Sequence, residues 1–161
     1  MYRTILMAVA LQQWKLYSAH ALAARKVAAV IARGASQPLH ILSVYDHESL
    51  DTLGLSPELA ARHREDMIMR TRELMERKIE EYVAPLKQEG LKVVTTLQEG
   101  NPREDIVQVA TRLEADLLII GSHSKRGFFD VALGGTAQYV SRHAPCPVVL
   151  VSPNGKAEDE V

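Results

Sequence analysis

The residues best suited to chemistry in this chain cluster between positions 121 and 136. The segment reads Gly121-Ser122-His123-Ser124-Lys125-Arg126-Gly127, runs on through 128–133, and ends in Gly134-Gly135-Thr136. Gly121, Gly127, Gly134 and Gly135 are four of the nine glycines in the chain. Glycine lets a backbone take positive φ and approach a ligand closely. Gly134-Gly135-Thr136 also stands where a helix is expected to open, and unpaired N–H groups with the helix dipole make such an end attractive to anions. Serine and threonine hydroxyls, with Lys125 and Arg126, add donors and positive charge. The chemistry this describes is a phosphate cradle. Its spacing, G-x5-G-x6-GG, matches neither the P-loop pattern nor the dinucleotide fingerprint. The alternative is a glycine-rich turn that merely lets a helix pack on a sheet.

Other residues offer less. His20, His40, His47, His63, His123 and His143 are scattered, with no HExxH or other compact ligand spacing, so no metal site is expected. His123 falls in the glycine-rich loop, as a ligand contact or as a solvated side chain. Cys146 lies between Pro145 and Pro147 and reads as a packed thiol. Trp14 follows the first apolar run, as a lid, a dimer contact or packing on the first helix. No nucleophile, base and orienting group can be assembled, so no efficient catalysis is expected.

The elements that must position this loop follow from hydrophobic patterning. Ile5 to Ala10 is an apolar run that reads as a first strand. Only Arg3 precedes it as a positive residue, which disfavours a signal peptide. Ser18 to Arg33 reads as a helix with a buried stripe at Ala19, Leu22, Ala23, Val27, Val30 and Ile31, stopped by Gly34. Leu39 to Tyr45 is a second strand. Ser56-Pro57 supplies an N-cap and a first-turn proline for a helix reaching Gln88, with Met75, Ile79, Tyr82 and Leu86 on one face. Asp66–Arg70 and Glu73–Arg77 are i,i+4 pairs on its solvated side. Leu91 to Leu97 is a third strand. Asn101-Pro102-Arg103-Glu104 starts a helix carrying Ile106, Val107, Val109, Ala110 and Leu113. Ala115 to Ile120 is a strand without polar alternation, as expected when both faces are buried. A helix from about Thr136 to His143, a strand from Pro147 to Ser152 and a polar tail, 154–161, complete the chain.

This alternation predicts one α/β domain over residues 1–153, a doubly wound sheet of five parallel strands with helices on both faces. Ligands of such sheets bind beyond the carboxyl ends of the strands, where the strand order reverses. The loops after Ala10, Tyr45, Gly100 and Gly121 are therefore the place for a site. Composition agrees. The 161 residues carry 19 Lys and Arg against 20 Asp and Glu, a net charge of −1 without the basic excess of a nucleic-acid binder. A single cysteine excludes an internal disulfide and fits a cytoplasmic protein. No stretch approaches the roughly 18 apolar residues of a membrane span.

On three stretches the chain resembles the universal stress proteins, over residues 2–152. Tyr2-Arg3-Thr4-Ile5-Leu6 is similar to that family's opening strand. Gly100-Asn101-Pro102 with Ile106 is similar to its GxP turn. Asp116 through Gly121-Ser122-His123-Ser124, then Gly134-Gly135-Thr136 through Pro145-Cys146-Pro147 to Val151, is similar to its signature almost residue by residue. The resemblance implies the adenine nucleotide α-hydrolase-like fold, strand order 3-2-1-4-5, and a homodimer paired through the last strand, Val148 to Val151. It also implies an adenine nucleotide, ATP in one branch, held by a GxxGx9G[ST] loop.

Carried onto this sequence, the first and third glycines of that loop are Gly121 and Gly134. The second is Ser124, and the final Ser/Thr position is Gly135, with Thr136 one residue late. The adenine-contacting position is Val44. A ribose-holding Asp of that branch corresponds to Ala10. Ser124 and Gly135 keep their backbone N–H groups, whereas Ala10 removes a carboxylate acceptor, a loss of roughly 1.5–3 kcal/mol for a hydrogen bond to a charged group. Two readings follow: a regulatory module binding ATP, ADP or AMP, and a homodimer acting through protein contacts without nucleotide. An enzyme of the wider α-hydrolase type ranks behind both, because Ala8 to Trp14 contains no glycine for a phosphate loop.

Overall fold

The computed structural model describes residues 1–11, 17–45, 56–121, 125–127, 130–132 and 135–153, with the backbone course alone at 125–127 and 130–132. Strand β1 (Ile5–Ala8) lies between β2 (Leu39–Tyr45) and β4 (Leu117–Gly121). Beyond β2 lies β3 (Val93–Glu99), and beyond β4 lies β7 (Val148–Val151). All four pairings are parallel, with Leu6 opposite His40 on one side and opposite Leu118 on the other. Counting along the chain, the order of this sheet is 3-2-1-4-5. The strands are joined by α1 (Ala19–Ala32), α2 (Pro57–Gln88), α3 (Pro102–Arg112) and α4 (Gly135–His143).

The two faces of the sheet build two cores. Ile5, Met7, Leu39, Ile41, Leu117 and Ile119 pack with α1 and α2. Leu6, Ala8, Leu42, Val44, Leu118 and Ile120 pack with α3 and α4. Alternate residues of one strand thus serve opposite cores, which is why β1, β2 and β4 read as continuous apolar runs. Ser43, fully buried in β2, has a hydroxyl with no partner among the described residues, an arrangement that costs about 1–3 kcal/mol.

Helix α1 corrects the expected stripe. Its buried residues are His20, Ala21, Ala24, Ala28, Ala29 and Ala32, while Val30 is exposed. Leu22, Ala23, Val27 and Ile31 are half-buried, and Ala19 is exposed. The alanine face lets the helix axis approach the sheet, and the larger side chains fill the margins. Helix α2 buries Met75, Ile79, Tyr82, Val83 and Leu86, the expected face with one addition. The Tyr82 hydroxyl donates to the Ala21 carbonyl at 2.6 Å, and Arg25 donates to the Tyr82 carbonyl at 3.0 Å, tying α2 to α1. Burial pushes the Tyr82 phenol far above its ordinary range. The i,i+4 ion pair on α2 among the described residues is Arg72–Glu76, rather than Asp66–Arg70 or Glu73–Arg77. Such exposed pairs are weak, so spacing alone does not decide which of them closes.

Two strands start later than their apolar runs because helix caps consume the first residues. At the end of α2, Gly90 N–H donates to the Lys87 carbonyl and Leu91 N–H to the Leu86 carbonyl, with Gly90 at φ 84°. This is a Schellman cap, and it delays β3 from Leu91 to Val93. The same cap ends α3, with Glu114 N–H bonded to Thr111 O and Ala115 N–H to Ala110 O, which delays β4 to Leu117. Here the left-handed position is Glu114, at φ 50°. A non-glycine residue there is strained by roughly 1–2 kcal/mol. Replacing it, Glu114→Gly, is expected to raise stability by about 0.5–1 kcal/mol, the relief of strain exceeding the added freedom of the unfolded chain. Urea unfolding with an unchanged slope checks this, and a lower midpoint would contradict it.

Candidate functional site

The chain crosses from β3 at one edge, through α3, to β4 on the far side of β1. The strand order therefore reverses between β1 and β4, and a parallel sheet opens a crevice at such a point. A cleft of about 300 Å³ lies there, at the lower end of the size range of ligand pockets. Its floor is Ala8 of β1 with Val9 and Ala10 after it, Leu42 and Val44 of β2, and Ile120 and Gly121 of β4. Its walls are the first two turns of α1 and α3 and the first turn of α4. Helix α1 gives His20, Ala21 and Ala24, α3 gives Pro102 and Ile106, and α4 gives Gly135, Thr136 and Ala137.

Each helix starts at the cleft for a local reason. Ser18 caps α1, its hydroxyl accepting the Ala21 N–H at 3.2 Å. Asn101 caps α3, its side chain accepting the Arg103 N–H at 3.0 Å, and Pro102 takes the first helical position, where no N–H is needed. Gly100 stands at φ 157°, a conformation that side chains disfavour, and a side chain there would also run into the Asp105 carboxylate, so this turn favours glycine. On the other side of β1, Lys78 of α2 donates to the Leu11 carbonyl at 2.7 Å, fixing the chain as it leaves the strand. Burial lowers the Lys78 pKa from its ordinary value, and nearby Glu81 opposes that shift.

The lining is mostly apolar. Among the described residues its polar side chains are His20 and Thr136. His20 is 7% exposed and shares a 3.0 Å hydrogen bond between Nε2 and the Ser18 hydroxyl. Its ring lies against Gly121, where a Cβ would come within 2.9 Å of the His20 Cδ2 and 3.1 Å of the His20 carbonyl oxygen. At Gly135 a Cβ would collide with the guanidinium of Arg103, which reaches across from α3. Glycine at 121 is thus a matter of close packing against backbone, whereas at 135 the space is taken by the end of a flexible side chain.

Four of the residues expected from sequence meet at this cleft: Val44, Gly121, Gly135 and Thr136. Ser122, His123, Ser124 and Gly134 lie outside the described residues, as does Trp14. Lys125 and Arg126 belong to a short strand, β5 (Lys125–Gly127), paired antiparallel with β6 (Asp130–Ala132). The loop expected to be continuous therefore contains a hairpin, whose three-residue strands are too short to show an alternating pattern. Sequence reasoning missed His20, Ala21, Ala24 and Ile106 as cleft residues. The available signal was topological: a helix that follows a parallel strand tends to begin on the ligand side of the sheet. Cys146 is partly buried, and burial, with Asp116 nearby, raises its pKa above the ordinary thiol value. Among the described residues no group of three or more His, Cys, Asp or Glu could hold a metal, and no helix is long and apolar enough to cross a membrane.

Comparison with known proteins agrees with this architecture. The universal stress protein family matches residues 1–152. The chain is 39% identical over 62 residues to the universal stress protein MJ0531 of Methanocaldococcus jannaschii, covering 38% of this chain and 36% of that protein. It is 32% identical over 74 residues to MJ0577 of the same organism, covering 46% of each. The aligned segments thus span less than half the length of these relatives. The solved structure of MJ0577 superposes with a TM-score of 0.76 at 23% identity, covering 97% of this chain and 99% of that one. The universal stress protein of Archaeoglobus fulgidus in complex with dAMP superposes at 0.59, with 23% identity and coverage of 93% and 98%. A family protein of Arabidopsis thaliana with AMP bound superposes at 0.63, with 21% identity and coverage of 98% and 97%.

Substitution at the tightest point of the cleft tests its packing. Gly121→Ala is expected to lower stability by about 1–3 kcal/mol, since the added methyl meets backbone as well as the imidazole. His20→Ala in the same chain should recover only part of that loss, because the carbonyl contact remains. Denaturant unfolding of the single and double variants measures both, and an unchanged midpoint for Gly121→Ala would refute the close approach.

Proposed function

The chain belongs to the universal stress protein family, and on that premise we propose that its cleft binds an adenine nucleotide and that the protein acts as a regulatory module rather than as an enzyme. One observation carries the reading: an apolar slot at the strand-order reversal, walled by three helix N-termini, with His20 and Thr136 as its polar side chains among the described residues. The apolar floor at Leu42 and Val44 suits a purine ring. The opposite end, at Gly135 and Thr136, offers first-turn amides of α4 to a phosphate. The AMP and dAMP held by the two structural neighbours support this ligand class.

A second reading has its own observation. Ala10, which lines the cleft and is exposed, offers no carboxylate for a ribose hydroxyl. On that reading the protein is a dimer that binds no nucleotide and acts through its surface. Both readings place a second copy against β7, the edge strand whose Val148, Val149 and Leu150 are half-buried.

Calorimetric titration of the folded protein with ATP, ADP and AMP separates the two. The expected result is saturable binding with a dissociation constant below about 1 mM, equivalent to roughly −4 kcal/mol. Absence of heat at millimolar nucleotide would leave the second reading. Sedimentation at about twice the 17.9 kDa chain mass is expected in either case, and a monomer at all concentrations would remove the β7 pairing.

A further inference from the structure

Helix α2 contributes no residue to the cleft lining, yet it holds the chain on both sides of the connection between the floor and the α1 wall. Lys78 is the point of attachment. Its ammonium donates to the Leu11 carbonyl at 2.7 Å, and its own main-chain carbonyl accepts the Tyr17 hydroxyl at 3.2 Å. Leu11 follows Ala10 of the floor. Tyr17 precedes Ser18, whose hydroxyl caps α1 and bonds the His20 ring. One residue of α2 thus grips the chain where it leaves the floor and again where it enters the wall.

The grip stands on a firm support. Met75, Ile79 and Tyr82, on either side of Lys78 along α2, are buried in the core. One turn on, the Tyr82 hydroxyl donates to the carbonyl of Ala21, itself a cleft residue, and Arg25 lies over the Tyr82 ring at 5.2 Å from its centroid. Those contacts hold α1 to α2, whereas the Lys78 ammonium acts on the exit of β1. Lys78 is half-buried, so its ammonium has lost part of its hydration, and a charge-assisted bond to a carbonyl offsets that loss. Glu81 on the same helix favours the charged form.

We propose that Lys78 is a positioning residue for the bound nucleotide: by fixing Leu11 and Tyr17 it sets how the floor at Ala10 stands to the wall at His20. The inference rests on the nucleotide-binding reading above. It adds a side chain that does not touch the ligand and belongs to a helix outside the cleft. Without the ammonium, the Leu11 carbonyl is released, and the chain between floor and wall must be ordered as the ligand binds. That ordering is charged against affinity, whereas a cleft held in place beforehand avoids it.

The test is calorimetry with AMP on the full chain and on its Lys78→Met, Lys78→Arg and Tyr17→Phe variants, each shown to be folded by its thermal transition. Lys87→Met, at an exposed site on the same helix, is the control. Lys78→Met keeps the aliphatic stem and loses the donor, and is expected to weaken AMP binding by about tenfold. Lys78→Arg restores a charged donor and should bind within about threefold of the original chain. Tyr17→Phe keeps the ring packing and loses a neutral hydrogen bond, for an expected loss of about two- to fivefold. Lys87→Met should bind as the original chain does. Unchanged AMP affinity in Lys78→Met, even with a lower melting temperature, would overturn the inference, leaving Lys78 a brace and the nucleotide reading standing. A loss that Lys78→Arg does not recover, or an equal loss in Lys87→Met, would also overturn it. Absence of AMP binding by the original chain would remove the nucleotide reading and the inference together.

Discussion

The pairing of β1 with β4 is the contact on which the rest of the molecule depends. Ile5 to Ala8 lie in register with Leu117 to Ile120, and this pairing requires the chain to return across the sheet after β3. The return puts α3 and α4 on the face opposite α1 and α2. The starts of α1, α3 and α4 nevertheless meet at one end of the sheet, where they line the cleft. The cleft is the gap between the β1 and β4 exits. Without that pairing the three helix starts would have no common point to face.

Small residues make the convergence close enough to form a binding-sized space. The alanine face of α1 brings His20 against Gly121, and the missing side chain of Gly135 admits Arg103. The bracing comes from farther away. Tyr82 and Arg25 join α2 to α1, Tyr82 packs edge-on to Tyr17 at 5.3 Å between ring centroids, and Lys78 holds Leu11. At the other end of β1, the Asp116 carboxylate accepts the backbone N–H groups of Arg3 and Thr4 at 2.7 and 3.0 Å, locking the start of β1 to the start of β4. The cleft therefore stands on a rigid base, with its floor set by strand register and its walls by helix packing.

The charge arrangement complements this shape. The floor is apolar, and Thr136 in the first turn of α4 and His20 in that of α1 are the polar side chains around it among the described residues. A flat, apolar ring with an anionic end fits such a gradient. Ala10 at the β1 exit removes one conventional acceptor, while His20, able both to donate and to accept, sits at the start of α1 on the other side of Gly121.

Much of this was legible in the sequence. Apolar runs marked β1, β2 and β4 as strands and β4 as buried on both faces, Ser56 and Asn101 marked helix starts, and Val44, Gly121, Gly135 and Thr136, expected at a site, line the cleft. Those features are local or carried in contiguous motifs, so the chain order alone reveals them. What tertiary structure decided were contacts between segments far apart in sequence. The buried face of α1 followed the need for close approach to the sheet rather than side-chain size. The late starts of β3 and β4 followed from the Schellman caps ahead of them, and the hairpin at 125–132 from strands too short to carry a pattern. His20 beside Gly121 and Arg103 beside Gly135 unite residues separated by 101 and by 32 positions. No periodicity records such a meeting; it exists only once packing has closed the distance.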